Sequence, residues 1–124
     1  MAGRVLIADD EPNIVTSLEF LMHKCGYEVR VAGSGEEALA LAESFRPDLV
    51  ILDAMMPMTN GFEVCRRIRG NPALQDVKVM MLSAKGRDAD VGQGLASGAC
   101  AYVTKPFSTK ELMATVAELL GERQ

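Results

Sequence analysis

Residues 48–62 read DLVILDAMMPMTNGF. A short apolar run passes without a break into one aspartate, Asp53. Two methionines, a proline and a turn ending in glycine follow. An apolar run that does not alternate with polar residues is the pattern of a strand buried on both faces, as in a parallel sheet. This run is the most apolar of its kind in the chain, so it is expected at the centre of the sheet. A carboxylate at the end of a buried strand is costly unless something uses it.

The rest of the chain repeats the same grammar of short apolar runs and helical patterns. RVLIA (4–8) is a continuous run and a first strand. A helix is expected from about Pro12 to Lys24, with Ile14, Leu18, Leu21 and Met22 on one stripe and Pro12 in its first turn. YEVRVA (27–32) alternates, which predicts a less buried strand at an edge. Ser34 and Glu37 form a capping-box pattern that opens a second helix to about Phe45. A third helix is expected from about Gly61 to Arg69, with Val64, Cys65 and Ile68 inward and Asn71-Pro72 ending it. VKVMMLS (77–83) and AYVTK (101–105) are the fourth and fifth strands. A fourth helix from about Asp88 to Ser97 is weakened by Gly92 and Gly94, each unfavourable by up to ~1 kcal/mol relative to alanine. The last helix runs from about Thr109 to Leu120, with Leu112, Val116, Leu119 and Leu120 at helical spacing.

Five strands alternating with five helices imply a doubly wound α/β fold with a parallel sheet covered on both faces. Right-handed crossovers favour the flavodoxin-like strand order 2-1-3-4-5. The 124 residues fit a single domain with a proper core.

Composition narrows the function. No run of about 18 apolar residues is present to span a membrane. MAGRVLIADDEP meets acid within its first dozen residues and is not a signal peptide. The net charge of −4 argues against nonspecific nucleic-acid binding. RRIR (66–69) is accordingly a solvated helix face. Cys25, Cys65 and Cys100 are odd in number and far apart, with His23 as the single histidine. They read as three thiols of a reducing cytoplasm rather than a zinc site or disulfide scaffold. His23 complements the dipole at a helix C-terminus, and the methionines Met55, Met56 and Met58 read as loop packing.

Polar residues fall where the strands end. Asp9 and Asp10 end the first strand, Asp53 the third, Ser83 the fourth and Lys105 the fifth. In a parallel α/β sheet these ends share the carboxyl edge, where the crevice lies. Three converging carboxylates need a cation. An all-oxygen donor set suits a hard ion, and Mg²⁺ is the expected one. Lys105 adds a second positive charge, and Ser83 a hydroxyl that donates to an oxyanion. A carboxylate so flanked is equipped to attack phosphorus and hold the acyl phosphate. Asp53, alone on the central strand, is the best nucleophile. Asp9 and Asp10, side by side, suit metal binding.

With these residues in place, the chain resembles a response-regulator receiver domain of two-component signalling, in the CheY-like superfamily. The resemblance covers essentially the whole sequence. It is carried by ADDEP (8–12), LDAMMPMTNG (52–61) with Pro57 and Gly61, LSAKG (82–86) and GACAYVTKPF (98–107). It implies that Asp53 takes a phosphoryl group from a phosphohistidine on a histidine kinase or phosphotransfer protein. Asp10, Asp53 and the backbone carbonyl of Met55 would bind Mg²⁺ directly, with Asp9 acting through water. Ser83 and Lys105 would contact the phosphoryl oxygens. Ser83 would move inward on phosphorylation and Tyr102 would follow as the switch aromatic. The Lys105–Pro106 peptide is typically cis in such domains.

The resemblance also implies that Met55 and Lys85, two residues beyond Asp53 and Ser83, gate the attacking water. A bulky Met and a long Lys there suggest a longer-lived phosphate. Many receivers with DNA-binding partners carry acids where this chain has Cys100 and Ala101, and basic residues where it has Thr115 and Ala117. Their absence argues against the dimer those charges build. The expectation is a single cytoplasmic receiver domain over 1–124 without an output domain, acting by partner binding or by relay, with no direct nucleic-acid or membrane role. The alternative is the receiver portion of a longer DNA-binding or enzymatic regulator. A turnover phosphatase is disfavoured because Met55 stands where such enzymes place a second Asp.

Overall fold

The structure, a computed structural model, describes residues 3–56, 59–84 and 98–121. Strands β1 (Arg4–Ala8), β2 (Glu28–Ala32), β3 (Leu49–Asp53), β4 (Lys78–Ala84) and β5 (Ala101–Lys105) form one sheet. Its order is β2-β1-β3-β4-β5 and every pairing is parallel. The helices are α1 (Pro12–Lys24), α2 (Gly35–Phe45), α3 (Gly61–Arg69) and α4 (Thr109–Leu119). A 3-10 turn, Pro72–Leu74, follows α3. The helix expected over 88–97, with Gly92 and Gly94, lies outside the described residues, as do Pro57, Met58 and Lys85.

The strand reading matches to within a residue. β3 is buried along its whole length and lies between β1 and β4, whereas β2 alternates and forms an edge. Strand periodicity divides the core in two. Leu49, Ile51, Met80 and Leu82 pack with Leu18 and Met22 of α1 and Leu112 and Val116 of α4. Val50, Leu52, Val79 and Met81 pack with Ala38 and Ala42 of α2 and with Phe62, Cys65 and Ile68 of α3. Leu119 and Leu120, expected inward, are only partly buried at the fraying end of α4.

Local chemistry explains the helix starts. Ser34 Oγ accepts from Glu37 N–H at 3.2 Å. The Glu37 carboxylate reaches back to Gly33 N–H at 2.7 Å, one residue before the usual capping-box donor. Asn60 Oδ1 accepts from Phe62 N–H at 2.9 Å and opens α3. In α1, Glu11 makes no side-chain cap. Asp9 Oδ1 accepts the Glu11 N–H at 2.9 Å, an Asx turn that sets the chain just ahead of the helix. Arg66 and Arg67 of α3 lie on a solvated face, paired to Glu63 at 2.9 and 3.5 Å, whereas Arg69, read with them as solvated, is half-buried and donates to Val77 O at 2.6 Å.

The segment after β3 folds tightly back on it. Met55–Met56 pairs antiparallel with Thr59–Asn60, and Gly61 N–H donates to Ala54 O at 2.9 Å. A Cβ on Gly61 would overlap the carbonyl oxygen of Asp53 and lie 2.7 Å from Ala54 Cα. Glycine is thus required by the close approach of α3 to the strand end that carries Asp53. Gly61→Ala is expected to lower stability by about 1–3 kcal/mol in urea unfolding. An unchanged midpoint and slope would show that the two backbones separate freely.

Candidate functional site

The carboxyl edge of the sheet gathers side chains from three strands. Asp9 follows β1, Asp53 ends β3 and Lys105 ends β5. Asp9 and Asp53 are buried, at 2% and 5% exposure, while Asp10 beside them is exposed. One carboxylate oxygen from each of Asp9, Asp10 and Asp53 lies within 4.8 Å of the others. The Lys105 ammonium lies 3.0 Å from Asp9 Oδ2 and 3.4 Å from Asp53 Oδ2. It also meets Glu11 Oε1 at 2.9 Å. The Lys105–Pro106 peptide is cis.

The backbone holds Asp53 in place. Its Oδ1 accepts from Met55 N–H at 3.0 Å, and Ala54 N–H continues the ladder to Leu82 O at 2.8 Å. One carboxylate oxygen is thereby tied to the turn and the other faces Lys105. Met55 itself is 63% exposed, so its side chain lies in solvent rather than in the core.

Ser83 is buried at the end of β4, one residue beyond Leu82, the register partner of Asp53. Tyr102 lies on β5 in register with Met81 and is half-buried against the core on the α2–α3 face. The expected aspartates and lysine are therefore brought together, Ser83 borders them on the adjacent strand, and Tyr102 lies further along β5. Glu11 was not anticipated as a member. The available signal was the third acid in DDEP, but nothing local distinguishes it from a solvated helix-start residue.

The electrostatics follow from the packing. Burial pushes the Asp53 carboxyl up, from 3.8 to about 6. The Met55 N–H pulls it down, the Asp9 carboxylate adds to the rise, and Lys105 opposes it. For Lys105, burial disfavours the ammonium, but the carboxylates of Glu11, Asp9 and Asp53 outweigh burial and raise its pKa above the ordinary lysine value. Lys105 is a fixed cation at any physiological pH.

The donor set fits a hard divalent cation. Its ligand atoms are carboxylate oxygens on converging side chains. Asp9 Oδ2 is buried and has no hydrogen bond in the structure, its ion pair with Lys105 being off the hydrogen-bonding direction. A buried acceptor in this state is satisfied by a cation.

The fold and this acidic edge define a flavodoxin-like receiver module of signalling, not of metabolic catalysis. The response regulator receiver domain matches residues 5–117, and the chain belongs to that family. It is 42% identical to the alkaline phosphatase synthesis transcriptional regulatory protein PhoP of Bacillus subtilis, over 97% of this chain and 49% of PhoP. The chain thus spans about half the length of that curated relative. Among solved structures, the chemotaxis response regulator CheY4 of Vibrio cholerae superposes with a TM-score of 0.89 at 31% identity, over 96% of this chain and 99% of that one. The receiver domain of the sensor histidine kinase PA1611 of Pseudomonas aeruginosa superposes at 0.88 with 27% identity, over 98% and 100%. That structure carries a magnesium ion in its active-site cleft. Response regulators receive phosphate from histidine kinases, and the acidic pocket of the family binds Mg²⁺. Among the described residues, no helix is long and apolar enough to cross a membrane.

Asp53 gives this site a measurable pH signature. An unfolded aspartate loses its proton near 3.8, whereas the native carboxyl keeps it to about 6. The native state therefore binds more protons in that window, and stability falls as pH rises through it. Asp53→Asn is expected to raise the melting temperature of metal-free protein at neutral pH, with the gain shrinking as the pH is lowered through about 6 toward 4. Thermal unfolding across that range checks this, and a gain independent of pH would contradict it.

Proposed function

We propose that Asp53 is the phosphoacceptor of this receiver domain. The observation that carries the reading is a buried carboxylate at the end of the central strand, held through Oδ1 by Met55 N–H and facing Lys105 through Oδ2. In transfer from phosphohistidine, an Asp53 oxygen bonds to phosphorus as the N–P bond breaks and the imidazole leaves. Asp10, Asp53 and the Met55 carbonyl would hold Mg²⁺, with Asp9 behind them. When bound there, the ion would supply positive charge against the phosphoryl oxygens. Lys105 and the Ser83 hydroxyl donate to those oxygens, stabilising the transferring group by preorganised charge and hydrogen bonds. Hydrolysis of the acyl phosphate by water resets the domain, so its chemistry acts on itself. Movement of Ser83 toward the phosphoryl group, followed by Tyr102, carries the signal along β4 and β5.

The partners we infer are a sensor histidine kinase or phosphotransfer protein upstream and a protein of unassigned identity downstream, in the cytoplasm. The charges of the common DNA-regulator dimer are missing at Cys100, Ala101, Thr115 and Ala117, and Thr115 Oγ1 is instead bonded within its own helix to Glu111 O at 3.0 Å. This favours a single-domain switch. The identity to a transcriptional regulator twice as long favours the second reading, the receiver of a longer regulator. The length of the natural reading frame separates the two.

Phosphotransfer profiling against the host's kinases and phosphotransfer proteins tests the acceptor. Wild-type protein is expected to be labelled only with Mg²⁺ present, and Asp53→Asn or chelation to abolish labelling. Labelling that survives Asp53→Asn would refute the assignment.

We infer that Met55, whose side chain is exposed, restricts water reaching the acyl phosphate, with Lys85 as its proposed companion. The double substitution Met55→Asn with Lys85→Glu is expected to shorten the phosphoprotein half-life, measured by loss of label after donor removal. An equal or longer half-life would remove the gating role.

A further inference from the structure

Lys105 is held by three carboxylates that differ in one respect. Glu11 Oε1 is 2.9 Å from Nζ, Asp9 Oδ2 3.0 Å and Asp53 Oδ2 3.4 Å. The Glu11 side chain is 57% exposed, against 0% for Asp9 and 6% for Asp53. Its backbone is fixed, since the Glu11 N–H is bonded to Asp9 Oδ1 and α1 begins at the next residue. The Glu11 carboxylate can swing into water without disturbing the fold.

We propose that Glu11 is a positioning residue that holds Lys105 before phosphorylation and competes with the incoming phosphoryl group for its ammonium. The inference rests on the phosphoacceptor reading of Asp53. An ammonium has three N–H donors, and all three neighbours are acids. Two donors are engaged by Glu11 Oε1 and Asp53 Oδ2, and Asp9 Oδ2 packs 3.0 Å from Nζ without a hydrogen bond, so a phosphoryl oxygen reaches the ammonium by displacing one of these acids. The Asp9 side chain is fully buried, so no water replaces the ammonium if Nζ leaves it. Asp53 is itself the group being phosphorylated. Glu11 remains, and water rehydrates it at once, because an ion pair with an exposed partner exchanges readily. Its charge also repels the anionic donor at the mouth of the site.

Acetyl phosphate is the probe. Asp53 forms the new O–P bond, the bond from phosphorus to the acetyl oxygen breaks, and acetate leaves with the electron pair. With Mg²⁺ present, Glu11→Gln is expected to lower the half-saturating acetyl phosphate concentration by about twofold to fivefold. The affinity for beryllofluoride, a non-hydrolysable phosphoryl mimic, rises by a similar factor. Glu11→Asp keeps the charge and moves both quantities less. Mg²⁺ affinity, measured by calorimetry, moves the other way, because a negative charge is lost. In metal-free protein the Lys105 side-chain nitrogen resonance shifts in Glu11→Gln. An unchanged or higher half-saturating concentration in Glu11→Gln, with wild-type protein labelling normally, overturns the role of Glu11. Failure of wild-type protein to label, or labelling of Asp53→Asn, overturns the phosphoacceptor reading instead.

Discussion

The meeting of one ammonium with three carboxylates governs this molecule. Lys105 comes from the last strand, Asp53 from the central one, and Asp9 and Glu11 from the turn after the first. Asp9 and Asp53, packed this closely and this deeply, repel each other, and burial penalises both charges. The lysine offsets part of that penalty. It does so only while β1, β3 and β5 keep their register, so the sheet and the site depend on each other. The remaining excess of negative charge is what makes the edge receptive to a divalent cation.

The surroundings of Asp53 are arranged around that constraint. The Met55 N–H and the ladder bond at Ala54 restrict its carboxylate, and Gly61 lets the start of α3 lie against the same backbone. On the proposed phosphoacceptor reading, Asp53 gains from such restriction, because its orientation is settled before a donor arrives. Lys105, by contrast, has a partner it can exchange. A rigid acceptor beside a lysine with a releasable counter-ion is a sensible division of labour for a switch that must be set and reset.

Much of this was legible in the residues. LVIL before Asp53 announced a buried central strand, the alternation in YEVRVA an edge, and Ser34 with Glu37 the start of a helix. Asp9, Asp10, Asp53, Ser83 and Lys105 stood at strand ends, and the strand order puts those ends on one edge. Glu11 was not legible. Its type and position suit an ordinary helix start, and its contact with Lys105 spans 94 residues of sequence. The turn that Asp9 makes ahead of α1 was hidden for a related reason, since an aspartate can close a turn or bind an ion and sequence does not say which.

The sequence by itself determined the elements, the faces they bury and the strand ends at which the reactive groups lie, because backbone periodicity and burial act locally and are written in residue order. Only the tertiary structure decided which charges meet. Strand order and register bring Asp9, Asp53 and Lys105 within hydrogen-bonding range. Differences of burial then set Glu11 apart from the other two acids around the lysine. Those quantities depend on every neighbour at once, and no local pattern encodes them.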